Sequence, residues 1–423
     1  MDLRIWLSIK RGGTINPLYY AKCLTILAKK RFKVPTSNHI LFLPGFSIKK
    51  VIQGSPLVIN ATYNIKPQCP HCCGRKLRIK DTFERRIRHE SIGERCTTLI
   101  VKAHKFYCHT CKRYFNQRFN GILPYQRATE RFKKQIFQQH THGVSQKEIA
   151  AYFRLGAATV ERWYHQGYQL QNQYIKHRHW PTVLGLDEHF FKKRQFATTF
   201  CDLRKNKVFD IAHGKSKADI IHAFQHIPGR ERVKVVCIDL STHYRSFTKQ
   251  YFPHAMIVAD RFHVIRLVEH AFMQTIQSIL PSIKYQRGTL AMLRTKPNNL
   301  SDNKKIKIKH FMDEQPAIEA LYQFKLRLID LLMWKKRKKV QCYELAASFL
   351  EFIHKLKNAT FEPLVKLGKT LYKWKEEIAR MWRFTKNNGI TEGFHRKMKL
   401  IQRRAYGFKN FENYRLRVKV LCS

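Results

Sequence analysis

Four cysteines stand in two tight pairs, Cys69-Pro-His-Cys72 and Cys108-His-Thr-Cys111, with 35 residues between them. A C-x-x-C turn presents two thiolates at the bite that tetrahedral zinc needs, and two such turns close the shell with no open position for water. Cys69, Cys72, Cys108 and Cys111 are therefore the expected ligands of a structural zinc ion, with His71, Cys73 and His109 as nearby substitutes. The gap is longer than the ~15–20 residues common between such pairs. It reads as a hairpin whose strands are RRIRHES and TTLIVKAHKFY. The other cysteines of the chain's 11 are scattered as small apolar residues are, which favours metal binding over disulfides.

A second chemistry resides in carboxylates. The chain has only 29 Asp+Glu against 81 Lys+Arg, so an acid at the end of an apolar strand needs a reason. Asp187 ends VLGLD and Asp239 ends VKVVCID. Both strands are apolar enough to be central in a sheet, which would bring both carboxylates to one of its edges. Glu392 opens a helix whose Phe394, Met398, Ile401 and Ala405 form an apolar stripe, while Glu392, Arg396, Lys399 and Arg403 share the opposite face. A carboxylate among arginines also makes an ordinary ion pair. Three converging acids would repel one another unless divalent metal lay between them. An oxygen-only set suits magnesium or manganese, which activate an attacking oxygen and stabilise a leaving one in phosphoryl transfer.

The elements that must position these groups follow from the pattern. Between the cysteines and the acids, Ser145-Gln-Lys-Glu148 is a capping box. Ile149, Ala150 and Phe153 then give a first short apolar face, Leu155-Gly156 a turn, and Ala157, Val160 and Trp163 the inward face of a second helix. Thr159, Glu161, Arg162 and His165 are expected on its outer side, the layout of a recognition helix. Upstream, ILFLPGF and PLVINATYNI read as short strands, and HRHWP (residues 177–181) as a linker. Strands are expected through TVLGLDEHF, QFATTFCDL, KVFDIAHG, VKVVCIDL and AMIVAD, and basic helices from about Phe262 to Lys386.

The net charge of +52 makes a polyanion the natural partner, and nucleic acid is the commonest one. With 44% hydrophobic and 13% aromatic residues the chain can build cores, which argues against disorder. No apolar run approaches the ~18 residues of a membrane span. The start, MDLRIWLSIKRGGTINP, lacks a signal-peptide core, so a cytoplasmic protein is expected.

The order of these blocks is similar to one known family. C-x-x-C pairs, helix-turn-helix, GLDEHFFKKR, CIDLSTHYRSF, ADRFHV and NNGITEGFHRKMKLIQRRAYGF together resemble the ISL-three family of bacterial insertion-sequence transposases, from about residue 38 to the end. The resemblance implies a multidomain α+β and α/β chain: a zinc-binding module over 38–124 and a DNA-binding helix-turn-helix over 125–176. A ribonuclease H-like catalytic domain would follow in 182–270 and 387–423, split by a helical insertion at 271–386. Residues 1–37 lie outside it and are basic without an assigned role.

The resemblance makes Asp187, Asp239 and Glu392 the metal-binding catalytic triad, at spacings of 52 and 153 residues. Asp260 in ADRFHV falls at another strand end, with a structural or DNA-positioning role favoured over metal. The implied reaction is cleavage at the element's ends by metal-activated water, followed by attack of the freed 3′-hydroxyl on target DNA. Expected partners are the terminal inverted repeats and target duplex, bound by a homodimer, without nucleotide cofactor or membrane. Lys192, Lys193 and Arg194 would hold phosphates, as would Arg396, Lys399 and Arg403, with Thr159 and Arg162 reading from the helix-turn-helix. Trp334 and the KKRKK run after it read as a basic exposed face. The alternatives are a catalytically inactive relative acting as a zinc and helix-turn-helix repressor, or a metal-dependent nuclease of the same fold.

Overall fold

Alternating side chains dictate the first sheet. Along the strand from Arg95 to Cys108, Thr97, Leu99, Val101 and Ala103 are buried while the residues between them are not. The structure, a computed structural model, describes residues 41–175, 179–192, 195–335, 339–384 and 389–423. It divides into two compact units, one ending at Ile136 and one comprising Phe137–Ser423.

In the first unit β1 (Phe46–Ile52), β2 (Leu57–Tyr63), β3 (Leu77–Ile92), β4 (Arg95–Cys108) and β5 (Tyr114–Asn116) form one sheet in the order β1-β2-β4-β3, with β5 on β4. The long hairpin β3–β4 is antiparallel from Leu77 opposite Cys108 to Ile92 opposite Arg95, as its sequence suggests. One expectation shifts: of ILFLPGF, the described residues from Leu41 on are not a strand until Phe46. Pro44 has no N–H for a ladder, and Gly45 turns the chain at φ 86°.

The second unit begins within α1 (Glu130–Thr141) and continues through α2 (Gln146–Phe153) and α3 (Ala157–Ile175). Then come β6 (Val183–Lys192), β7 (Gln195–Asp202), β8 (Lys207–His213), α4 (Lys217–Phe224), β9 (Val235–Ile238), α5 (Thr242–Tyr251) and β10 (Met256–Ala259). Strands β6, β7 and β8 form an antiparallel meander, while β9 and β10 run parallel to β6, in the order β10-β9-β6-β7-β8. That mixed sheet is ribonuclease H-like.

Among the described residues seven α-helices follow: α6 (Arg261–Ile279), α7 (Arg287–Arg294), α8 (Asp302–Asp313), α9 (Pro316–Met333), α10 (Lys339–Lys357), α11 (Glu362–Lys373) and α12 (Lys375–Arg383). They are tied to one another, to α5 and to β10 by polar contacts as well as by apolar packing. Arg261 Nη2 donates to Met381 O at 2.7 Å, Arg380 Nη1 to Ile257 O at 3.2 Å, and Arg245 pairs with the buried Glu377 at 2.7 Å. The chain closes with α13 (Gly389–Arg404) and α14 (Phe411–Leu421). No helix among the described residues is long and apolar enough to cross a membrane.

The linker expected at HRHWP is corrected in its described part. Trp180 is 1% exposed and sits at the centre of the main core, with ring centroids of Phe252 at 4.9 Å, Phe209 at 5.0 Å and Phe224 at 5.6 Å. Its Nε1 donates to Ile227 O at 3.2 Å, so even its polar atom is satisfied. Polar neighbours in sequence mask an anchor whose partners all lie downstream. Trp180→Ala should cost the second unit about 3–5 kcal/mol. Urea unfolding followed by tryptophan fluorescence and circular dichroism checks this; an unchanged midpoint would contradict the cluster's place in the cooperative core.

Candidate catalytic and metal sites

The zinc module is built from two matching turns. Cys73 N donates to Cys69 O at 2.9 Å and Cys69 N to Gly74 O at 3.0 Å; Lys112 N donates to Cys108 O at 2.9 Å and Cys108 N to Arg113 O at 3.0 Å. Cys73 and Lys112 both adopt φ 57°, the left-handed residue that folds each turn back. The turns face each other, with Cys69 and Cys111 sulfurs 3.6 Å apart and those of Cys72 and Cys108 3.5 Å apart. All four sulfurs lie within 4.8 Å of one another, while His71, Cys73 and His109 stay outside the group. The Cys111 backbone N–H draws the Cys108 thiol down to about 6. Thiolates so close repel unless a cation sits among them, and four sulfurs with no open position fit structural zinc.

The helix-turn-helix forms as its sequence suggests. Glu148 N donates to Ser145 Oγ at 3.2 Å, Ser145 N donates to Glu148 Oε2 at 2.9 Å, and Arg154 closes α2 in the left-handed region at φ 50°. Ile149, Phe153, Val160 and Trp163 are buried, and Glu161 and Arg162 are exposed. Thr159 is half-exposed and accepts from Arg162 Nη2 at 3.4 Å. Two residues depart from expectation. Ala157 is exposed, because its carbonyl rather than its methyl meets α2, through Gln146 Nε2 at 2.9 Å. His165 is half-buried, because α3 has a second packed side: Tyr164 and Tyr168 lie under Arg417 of α14, at 5.2 and 5.8 Å.

At the sheet, parallel pairing sets Gly185 of β6 opposite Cys237 of β9 and Ala259 of β10 opposite Ile238. Two residues beyond the first pair come Asp187 and Asp239, and one beyond the second comes Asp260, so three aspartates share one edge. Burial pushes the Asp187 carboxyl up to about 6; Asp239 and Asp260 add to the rise, and His263 opposes it. Burial also raises Asp239, with Glu188 adding. Asp260 is 2% exposed and already engaged: it caps α6 and pairs with His263 Nδ1 at 2.8 Å.

Glu392 does not join them. Its carboxylate accepts from Arg396 Nη2 at 2.8 Å and its side chain is 48% exposed. Among the described residues the four cysteines are the one group of three or more potential ligands drawn together. The stripe of α13 behaves as expected, with Met398 and Ile401 buried and Arg396, Lys399 and Arg403 exposed. Lys192 Nζ donates to Lys409 O at 2.9 Å; Lys193 and Arg194 lie outside the described residues. Trp334 is 48% exposed, and most of the basic run after it lies outside the described residues too.

Sequence reasoning missed a buried polar chain beside Asp187. Tyr414 of α14 bonds His189 Nε2 at 2.9 Å, His189 Nδ1 bonds Thr199 Oγ1 at 2.9 Å, and Thr199 bonds His395 Nε2 at 3.1 Å. His395 Nδ1 ends 3.8 Å from Asp187 Oδ2. Burial lowers His189 to about 3 and His395 to about 4, so both rings are neutral near pH 7. The chain ties α13 and α14 to β6 and β7, across up to 225 residues of sequence. His263, three residues after Asp260, is the one missed residue with a local signal: i,i+3 spacing at a helix start.

Two outcomes test these centres. Cys69→Ser should lower bound zinc well below one per chain and unfold the first unit at lower temperature, read by metal analysis and calorimetry; unchanged zinc and melting would refute the assignment. For Asp187, a carboxyl raised to about 6 in the folded state contributes most below its unfolded value and loses that contribution as pH rises through about 6. In chelator, Asp187→Asn should therefore stabilise the protein at pH 7 by roughly 1–3 kcal/mol and bring no gain near pH 4. Denaturant titrations at the two pH values decide it.

Comparison with known proteins agrees with this layout. The chain matches the transposase profile of the ISL3 family over residues 184–418, the helix-turn-helix domain of transposase family ISL3 over 117–168, and the zinc-finger of the transposases of IS204, IS1001, IS1096 and IS1165 over 65–111. It is 22% identical over 364 residues to the transposase for insertion sequence element IS1001 of Bordetella parapertussis, covering 83% of this chain and 87% of that protein. The chain thus belongs to the ISL3 family of transposases, with a zinc ribbon, a DNA-binding helix-turn-helix and a DDE catalytic domain.

Proposed function

We propose that this protein cuts the ends of its own insertion sequence and joins the freed 3′-hydroxyls to target DNA, with Asp187, Asp239 and Glu392 as the catalytic acids. The observation that carries the reading is the parallel register of β6 on β9, whose last pair, Gly185 and Cys237, lies two residues before Asp187 and Asp239. Two partly buried carboxyls held above their ordinary range by burial and by other acids form an oxygen donor set that suits a hard divalent cation. Magnesium or manganese held there by Asp187, Asp239 and Glu392 would activate the attacking oxygen and offset charge on the leaving one.

The protein's own residues do the rest. Water opens the phosphodiester at the element's end, leaving a 5′-phosphate and a 3′-hydroxyl; that hydroxyl then attacks a target phosphate in the same site and expels the target strand's own 3′-oxygen as a hydroxyl, so no protein nucleophile is needed. Lys192, Lys193, Arg194, Lys399 and Arg403 hold phosphates. Arg396 has a switching part: an exposed ion pair such as Arg396–Glu392 is worth only about 0–1 kcal/mol. A DNA phosphate can therefore take Arg396 and free Glu392 to turn toward the aspartates. Thr159 and Arg162 contact the terminal repeats, and two protomers hold the two ends. The work is done on DNA in the bacterial cytoplasm.

A second reading has one observation in its favour. The bond between Glu392 and Arg396 leaves the triad incomplete, as would suit a protein that binds element ends and represses without cutting. Purified protein, magnesium or manganese, and a plasmid carrying the gene with its flanking DNA separate the two. Wild type should cut at the element's boundaries, and Asp239→Asn should bind the same ends with unchanged affinity while cleavage falls to background. Tight binding without cutting by wild type would establish the repressor.

A further inference from the structure

The end of α13 contains a costly residue with no packing role to justify it. The helix closes with Tyr406 N donating to Arg403 O at 3.0 Å and Gly407 N to Gln402 O at 2.9 Å. This closure places Tyr406 at φ 51° and Gly407 at φ 92°. The left-handed position after a helix belongs to glycine, because a Cβ crowds the following carbonyl there. Gly407 meets that preference; Tyr406 does not. Its side chain is 95% exposed, so the strain is not repaid by burial. Phe408, two residues on, does pack, with its ring 5.2 Å from Tyr414 and 4.9 Å from Arg417. The loop is thus anchored through Phe408 and, at Lys409, through Lys192 Nζ, while Tyr406 is held outside.

The surroundings give the chemistry. Tyr406 lines a groove of about 750 Å³ with Lys192, Lys399, Gln402, Arg403 and Lys409, and no carboxylate is among its lining residues. Four cations along one aromatic ring fit a nucleic-acid strand: the cations follow phosphates, and the ring's face takes a base. A base pair inside a duplex is stacked on both faces and offers none to a side chain. We propose that Tyr406 is a stacking platform for an unpaired base at the DNA end being processed, in a groove that begins on the helix carrying Glu392. This rests on the reading of the chain as the enzyme that handles its element's ends.

The test uses full-length protein in chelator, so cleavage plays no part. Two probes carry the element's boundary sequence: a blunt duplex, and the same duplex with a single-stranded 3′ extension containing 2-aminopurine. Stacking on tyrosine should quench the fluorophore in wild type. Tyr406→Gly relieves the strained backbone, so its melting temperature should hold or rise, yet it should lose the quench and bind the extended probe about 5- to 100-fold more weakly. Its affinity for the blunt duplex should stay unchanged, and Tyr406→Trp should keep both quench and affinity. Wild-type affinity and quench in Tyr406→Gly would overturn the proposal, as would equal losses on both probes. Wild type that ignores both probes would overturn it together with the transposase reading, whereas failure of Tyr406 alone leaves that reading standing.

Discussion

Strand β6 has antiparallel β7 on one side and parallel β9 on the other, and the position of Asp187 relative to Asp239 depends on the second pairing. Side chains alternate along a strand, so a slip of one residue between β6 and β9 would send Asp187 and Asp239 to opposite faces. What prevents the slip is apolar. Leu184, Leu186, Val236 and Ile238 are completely buried in the core that also holds Trp180. Moving either strand would expose that set. The core therefore fixes the position of two carboxylates that, left to themselves, repel. Asp260 extends the row but is satisfied by His263 and by the start of α6, so it adds negative potential while remaining occupied.

The edge strand β8, at the other side of the sheet from β10, is secured differently. Strand β8 would present open hydrogen-bonding groups, a liability that α14 and the residue after it cover. Val208 N donates to Cys422 O at 2.9 Å, and Asp210 takes Arg415 through two bonds of 2.8 and 2.9 Å and Lys419 through one of 2.9 Å. Burial pushes the Asp210 carboxyl up, but the two cations outweigh it and hold it below the ordinary range. Removing either side would leave a buried charge without a partner, which is far costlier than losing a surface pair. Once held there, α14 bears Arg417 on Tyr164 and Tyr168 of the helix-turn-helix and Tyr414 on His189. One helix thus joins the DNA-reading helices to the catalytic sheet.

This explains which features the sequence revealed. The cysteine turns, the capping box, the β3–β4 hairpin and the apolar stripe of α13 depend on neighbours within a few residues or one turn of chain, and each is visible in spacing. The strand-end position of Asp239 was legible because β9 is apolar to its end, whereas Asp187, expected at a strand end, lies inside β6, which runs on to Lys192 paired with β7. Trp180 was not, because its partners lie from Phe200 to Phe252 while its sequence neighbours are polar. Nor was the second packed side of α3, whose partner is some 250 residues away by the count from Tyr164 to Arg417. The placement of Glu392 was only partly legible: periodicity gives the face it shares with Arg396, but periodicity is silent on how far that face stands from β6.

The charge balance ties these observations together. A chain of net charge +52 repels itself, and that repulsion weakens the compact state until a polyanion neutralises it. Its few acids are accordingly not spread evenly. Asp210 and Glu377 are buried against cations and serve as joints. Asp187 and Asp239 are partly buried, and burial and neighbouring acids raise them, an arrangement that costs stability and suits the cation site proposed above. DNA supplies the opposite need for the rest of the surface. Binding DNA would relieve the long-range repulsion and, on the proposed reading, by drawing Arg396 to a phosphate would loosen its ion pair with Glu392. Substrate binding and assembly of the acidic site would then be linked through the same excess of positive charge.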